Sequence, residues 1–219
     1  MISRTLLTGL LAGLTAGLVL TVLYVAKTQP LILQAEIYEH GAVLAGESDV
    51  PVARTFKTLM FNILTGAAFG LILSAVLTLR GRPVGLRQGA IWGAAGFVAF
   101  ALAPAFGLPP ELPGAMAVEL EARQLWWVLA AAATAGGMGF LIFAGTWPAR
   151  LGGGALIVLP HIVGAPHPDS LGGAVPPELA AQFVAASLGA NALFWAVLGA
   201  SSGYLHDRFD SDRPGAGAA

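Results

Sequence analysis

The sequence predicts an all-α fold, a polytopic membrane helical bundle of about six transmembrane segments, and two observations carry that prediction. Of 219 residues, 56% are hydrophobic and only 11% charged, with a mean hydropathy of +0.75, well outside the range of soluble chains. The few charges are also clustered, which leaves uncharged runs of the length a helix needs to cross hydrocarbon, about 20 residues at ~1.5 Å each. The same composition removes other classes. A formal net charge of −1 offers no basic field for nucleic acid. With no cysteine and four scattered methionines, disulfides, thiolate metal sites and a copper(I)-type path are excluded. No G-x-x-x-x-G-K-[ST] loop is present, and Ser187 lacks the G-x-S-x-G elbow of a hydrolase, so no enzyme activity is expected.

Taken in order, Thr5 to Ala26 lies between Arg4 and Lys27, Thr58 to Leu79 between Lys57 and Arg80, and Gln88 to Pro110 between Arg87 and Glu111. Each is a span. Gln124 to Ala149 is a fourth, with Trp126, Trp127 and Trp147 near its ends; Trp126 to Trp147 is roughly 31 Å of helix, the separation of two interfacial aromatic belts. Leu179 to His206 closes the series. The fifth run, Leu151 to Pro168, opens on three glycines and contains Pro160, so it is expected to be short or broken. Irregular backbone at membrane depth is tolerated where protein or a water-lined cavity satisfies it, which directs attention to this segment as a binding site.

Lys and Arg favour the cytoplasmic side of a membrane. Placing both termini there puts Arg4, Arg80, Arg82, Arg87, Arg150, Arg208 and Arg213 inside and Lys27, Arg54, Lys57 and Arg123 outside. The outer loops then hold nine of the twelve acids, among them Glu36, Glu39, Glu111, Asp169 and Glu178. Residues 1–208 are expected to form a single integral membrane domain, and 209–219, polar and rich in Gly and Ala, a disordered cytoplasmic tail. Gly9, Gly13 and Gly17 form a tandem small-residue repeat, the pattern that lets helix backbones approach closely. The same four-residue spacing at Gly66/Gly70, Gly89/Gly93 and Gly199/Gly203 is weaker evidence in a chain with 29 glycines.

Two constellations are candidates for metal chemistry. If the segment after the first span is helical, Glu36, Glu39 and His40 fall at i, i+3 and i+4 on one face, a carboxylate and imidazole set suited to Co²⁺, Ni²⁺ or Zn²⁺, or else the solvated face of an interfacial helix. The second set joins the interrupted fifth run to an outer loop: His161, His167 and Asp169 in Pro160-His-Ile-Val-Gly-Ala-Pro166-His-Pro-Asp169. Here imidazole beside freed carbonyls can complete a coordination shell, or His161 can be a hydrogen-bonded packing residue. Asn62, Ser74, Thr134, Ser187 and Asn191 within spans are expected to bond between helices.

The strings Gln29-Pro-Leu-Ile-Leu-Gln-Ala-Glu-Ile-Tyr-Glu39, Gly107-Leu-Pro-Pro-Glu-Leu-Pro-Gly114, Arg123-Gln-Leu-Trp-Trp127, Leu159-Pro-His-Ile-Val-Gly-Ala-Pro166 and Val175-Pro-Pro-Glu-Leu-Ala180 through Phe194-Trp195 resemble, in order and spacing, the CbtA family of probable cobalt transporter subunits. The resemblance covers nearly the whole chain. It implies a multi-pass protein of the bacterial inner membrane, serving Co²⁺ or Ni²⁺ uptake for cobalamin synthesis with no organic cofactor. Its partners would be the lipid bilayer and a small one-helix, His-rich CbtB-type subunit, in a homo- or hetero-oligomer. The family residues that carry over are Glu36, Glu39, Glu111, Arg123, His161, Pro166, Glu178 and Trp195. The other functional class open to such a chain is a scaffold that transports nothing and packs against a separate metal- or pigment-binding partner.

Overall fold

The structure, a computed structural model, describes residues 2–40, 51–115, 118–168 and 173–211. Helix α1 (Ile2–Leu23) passes through one π-helical turn (Tyr24–Thr28) into α2 (Gln29–His40). After α3 (Pro51–Arg80) comes α4 (Leu86–Phe97), which likewise passes through a π-helical turn (Val98–Leu102) into the short α5 (Ala103–Ala105). The chain continues as α6 (Leu120–Phe143), α7 (Trp147–Val163) and α8 (Pro177–Ser211). Both π-turns have one cause in the sequence. Pro30 and Pro104 lie just beyond them, and a proline ring lacks an N–H and crowds the carbonyl four residues back. Widening the preceding turn lets the helix continue, as Ala103 N–H shows by bonding to Val98 O five residues back.

Among the described residues five helices are long and apolar enough to cross a membrane: Ile2–Tyr38, Val52–Arg80, Leu86–Ala105, Leu120–Phe143 and Pro177–Phe209. The fifth predicted segment, α7, is short but not broken. Its 17 residues extend about 25 Å and include Pro160 in the final turn. Gly164, at φ +89°, is what ends the helix, its N–H returning to Pro160 O at 3.0 Å. At the chain ends, Arg4 Nη1 donates to Phe209 O at 2.6 Å, so α1 begins where α8 finishes. Helix α8 runs through Ser211, and residues 212–219 of the predicted tail lie outside the described residues.

Chain contacts divide the protein into two compact units. The first comprises Met1–Ala26, Ser48–Ala94 and Gly189–Ala219, the second Lys27–Glu47 and Ala95–Leu188. In the first, α1 and α3 run antiparallel in backbone contact. A Cβ added to Gly13 would collide with Gly66 O, and one on Gly17 would come within 2.6 Å of Asn62 O. Gly9 and Gly70 meet in the same way. The repeats that the sequence left as weak evidence are part of the same device: Gly66/Gly70 is the partner stripe of α1, and Gly89/Gly93 on α4 packs against Gly199/Gly203 on α8. Hydroxyls and one amide fasten the α1–α3 seam, with Asn62 Nδ2 donating to Thr21 Oγ1 at 3.2 Å and Ser74 Oγ to Thr5 O at 2.8 Å. Phe69 reaches α8, its ring 4.9 Å from Trp195 and 6.4 Å from Phe194.

In the second unit α6 and α7 repeat the arrangement, with Gly137 against the Gly153 carbonyl at 2.5 Å from a built Cβ. The aromatic-belt expectation for α6 is corrected here. Trp126 is only 7% exposed and belongs to the interior, while Trp147 starts the next helix; spacing along a helix gives depth but not which face a ring occupies.

Because the obstacle at Gly13 is backbone rather than a movable side chain, Gly13→Ala is expected to destabilise the protein by about 1–3 kcal/mol, the usual cost of overpacking, and Gly13→Leu by more. Gly139→Ala, where an added Cβ meets nothing within 4 Å, is expected to be neutral or stabilising. Thermal unfolding in detergent checks the contrast, and equal behaviour of Gly13→Ala and Gly139→Ala contradicts it.

Candidate functional site

The second unit gathers segments that are far apart in sequence. Leu31, Ile32 and Ala35 of α2 pack on Leu112 of the proline-rich loop before α6 and on Val175, Leu179 and Phe183 around the start of α8. Four residues back on the same loop, Leu108 packs with Trp126 and Ala130 of α6 and with Ala165 just beyond α7. The loop 107–114 therefore works as a clasp, with one leucine in each cluster. Its shape has local causes. Phe106, Gly107 and Leu108 N–H groups return to Ala103 O or Pro104 O at 2.9–3.2 Å, prolines remove competing donors, and Gly114 takes φ +78°. Gly107 has no room for a side chain, since a Cβ there would strike the Trp126 ring and come within 2.9 Å of Ala165 Cβ. Arg123 at the start of α6 holds the loop from outside through an ion pair with Glu111 at 2.7 Å, each side chain about 30% exposed.

His161 stands in the last turn of α7, half-buried, with its ring edge-on to Trp126 at 5.7 Å and to Phe106 at 6.4 Å. The aromatic walls fix the imidazole plane. His167, beyond the helix, is exposed, and Asp169 lies outside the described residues. On α2 the predicted helical placement of Glu36, Glu39 and His40 holds for the backbone. Glu36 is half-buried, and the side chains of Glu39 and His40 lie outside the described residues. Among the described residues no three His, Asp or Glu side chains come together as a ready-made metal cage.

What the sequence reading missed is a set of buried polar atoms without partners. Among the described residues, Trp126 Nε1 and Thr134 Oγ1 on the inward face of α6, and Thr28 Oγ1 and Gln29 Oε1 at the start of α2, have no hydrogen-bond partner. Thr28 is 0% and Thr134 1% exposed. Thr134 was expected to bond between helices, as Asn62 and Ser74 do; instead it faces its surroundings unpaired. Such atoms normally mark the place of water or an ion. A hydroxyl and an amide oxygen can accept a cation's coordination or its water, whereas an indole N–H can only donate, so the set suits a hydrated ion better than a stripped one.

The fold and this site define the class: a polytopic helical membrane protein whose second unit holds a half-buried imidazole against an aromatic wall. The chain belongs to the CbtA family, described as probable cobalt transporter subunit, whose model matches residues 2–207, nearly the whole chain. Neither the curated proteins nor the solved structures contain a match to it. Every string by which the sequence resembled this family has residues in the clasp or in the two clusters it joins.

Because Trp126 Nε1 has no partner among the described residues, Trp126→Phe is expected to keep the fold and to lose only the packing of the outer indole ring against Gly107, about 1–2 kcal/mol. Trp126→Ala empties the space that Gly107 and Ala165 enclose and is expected to lose about 3–5 kcal/mol. Thermal unfolding of the two variants compares them; a Trp126→Phe loss as large as that of Trp126→Ala would mean the indole N–H is structurally engaged.

Proposed function

We propose that this chain is the membrane-embedded subunit of a Co²⁺ uptake system of the bacterial inner membrane supplying cobalamin synthesis, and that the ion enters by the second unit past His161. The observation that carries the reading is the meeting of the family's strings in two clusters joined by the clasp, one of them holding Trp126, whose ring faces His161 and whose Nε1 has no partner among the described residues. In this reading both termini are cytoplasmic and the clasp faces the periplasm. Glu36 and Glu39, with His40, His167 and Asp169, form an outer layer that concentrates divalent cations by charge, an effect that weakens with salt. His161 is the inner, selective ligand. Ni²⁺ is accepted through the same nitrogen, since affinity alone does not separate neighbouring first-row ions. A one-helix, His-rich CbtB-type subunit hands the metal over, which supplies the ligands that a single fixed imidazole lacks.

The absence of a three-ligand cage among the described residues favours a second reading, in which the chain is a scaffold that seats such a partner and moves nothing itself. Uptake into liposomes containing a Co²⁺-responsive dye separates the two, with the chain alone and with its partner. Transport through this chain predicts that His161→Ala abolishes uptake in both preparations. Glu36→Gln with Glu39→Gln is expected to raise the Co²⁺ concentration needed severalfold and to flatten the salt dependence. A folded His161→Ala protein that accumulates Co²⁺ normally makes the histidine a packing residue and leaves the scaffold reading standing.

A further inference from the structure

The first unit holds a second polar feature, independent of the metal reading. Between the start of α1, the turn after α3 and the end of α8 lies a cavity of about 280 Å³ lined by Arg4, Arg82 and His206 together with the hydroxyl-bearing Thr5 and Thr78. Among the described residues, none in its lining is acidic. Asp207, the neighbour of His206 on α8, is outside the lining, as are Arg80 at the end of α3 and Arg208 on α8. Three basic side chains from three elements thus line one space in which the described residues place no carboxylate.

Hydrogen-bond bookkeeping in this cavity fixes its polarity. His206 Nδ1 lies 3.0 Å from Ser202 O, and a carbonyl only accepts, so Nδ1 carries a proton. Nε2 lies 3.3 Å from Thr78 Oγ1. That hydroxyl's single proton is directed to Ser74 O at 2.8 Å, and Ser74 Oγ in turn donates to Thr5 O at 2.8 Å. Thr78 can also accept from the Thr5 hydroxyl at 3.1 Å. His206 is thus held at both ring nitrogens, between Ser202 on its own helix and Thr78 on α3. Arg4 spends one nitrogen on Phe209 O and keeps other N–H groups to offer. Arg82, exposed in the turn that Gly81 opens at φ +66°, has no hydrogen-bond or ion-pair partner among the described residues.

Guanidinium groups are the side chains best matched to phosphate oxygens, through paired N–H donors. We infer that this cavity binds a phosphate-bearing anion, with Arg4 and Arg82 as its donors and His206 as part of its wall. The source it favours is an anionic lipid headgroup. The cavity lies at the helix ends, where headgroups sit, and Ile2 and Leu79 beside it are 79% and 87% exposed, an apolar surface on which acyl chains can lie. Basic sites at such helix ends are a recognised mode of lipid headgroup binding.

The test is equilibrium binding to the full chain in detergent, with three probes: dihexanoyl phosphatidylglycerol, dihexanoyl phosphatidylcholine and inorganic phosphate. Phosphatidylglycerol is expected to bind at least tenfold more tightly than phosphatidylcholine, and less tightly as salt rises. Arg82→Gln, a substitution in an exposed turn that leaves the helices intact, is expected to weaken phosphatidylglycerol binding at least tenfold, and Arg82→Lys to recover most of it. If inorganic phosphate binds equally well and shows the same Arg82 dependence, the anion site stands and its source is free phosphate. Binding of both anions that is unaltered by Arg82→Gln, or no preference of the wild type for either anion over phosphatidylcholine, overturns the inference.

Discussion

Close contact between helix backbones is the constraint on which the rest of this structure depends. In a bilayer the lipid tails are as apolar as a leucine side chain, so no hydrophobic force pulls one helix onto another. Association has to come from dispersion contacts and hydrogen bonds, and both weaken steeply with distance. Glycine at Gly9, Gly13, Gly66 and Gly70 brings α1 and α3 to the point where each added Cβ would enter the other's backbone. The α4–α8 pair uses Gly89, Gly93, Gly199 and Gly203 in the same way. Once the backbones are that close, short side chains such as Ser74 and Thr5 can bond across the seam.

Among the described residues both units bury polar atoms without partners, Ser202 Oγ being the one in the first. In that unit Asn62 and Thr21, Ser74 and Thr5, and Thr78 and Thr5 bond between neighbouring helices, the arrangement expected of groups whose role is to hold helices together. In the second, Thr28, Gln29, Trp126 and Thr134 present buried atoms that have no partner among the described residues. Leaving a polar atom unpaired at membrane depth costs stability, and water or an ion is the usual guest at such atoms.

The membrane spans were legible because charges bracket them, and the tandem glycines of α1 because three at one spacing are hard to obtain by chance. The partner stripes were not legible. Gly66/Gly70 and Gly199/Gly203 look like background in a glycine-rich chain until the antiparallel pairing sets them opposite other glycines. Of the two outcomes that Pro160 and the three glycines left open for the fifth segment, short or broken, the helix is short, with Pro160 in its last turn and Gly164 ending it. Trp126 shows the same limit: its distance from Trp147 fits two membrane interfaces, yet its face of α6 points inward. For the site, sequence located the strings and His161 but not their meeting point, since the clasp of Leu108 and Leu112 joins segments more than a hundred residues apart only after folding.

The central claim is that metal meets this chain at the imidazole behind the clasp. X-ray absorption at the cobalt edge, on the purified full chain loaded with Co²⁺ and repeated with His161→Ala, measures that contact directly. The account predicts the outer-shell scattering of an imidazole ring in the wild type and its loss in the variant, with oxygen ligands remaining. A spectrum with the same imidazole signature in both proteins, or with none in either, would contradict it.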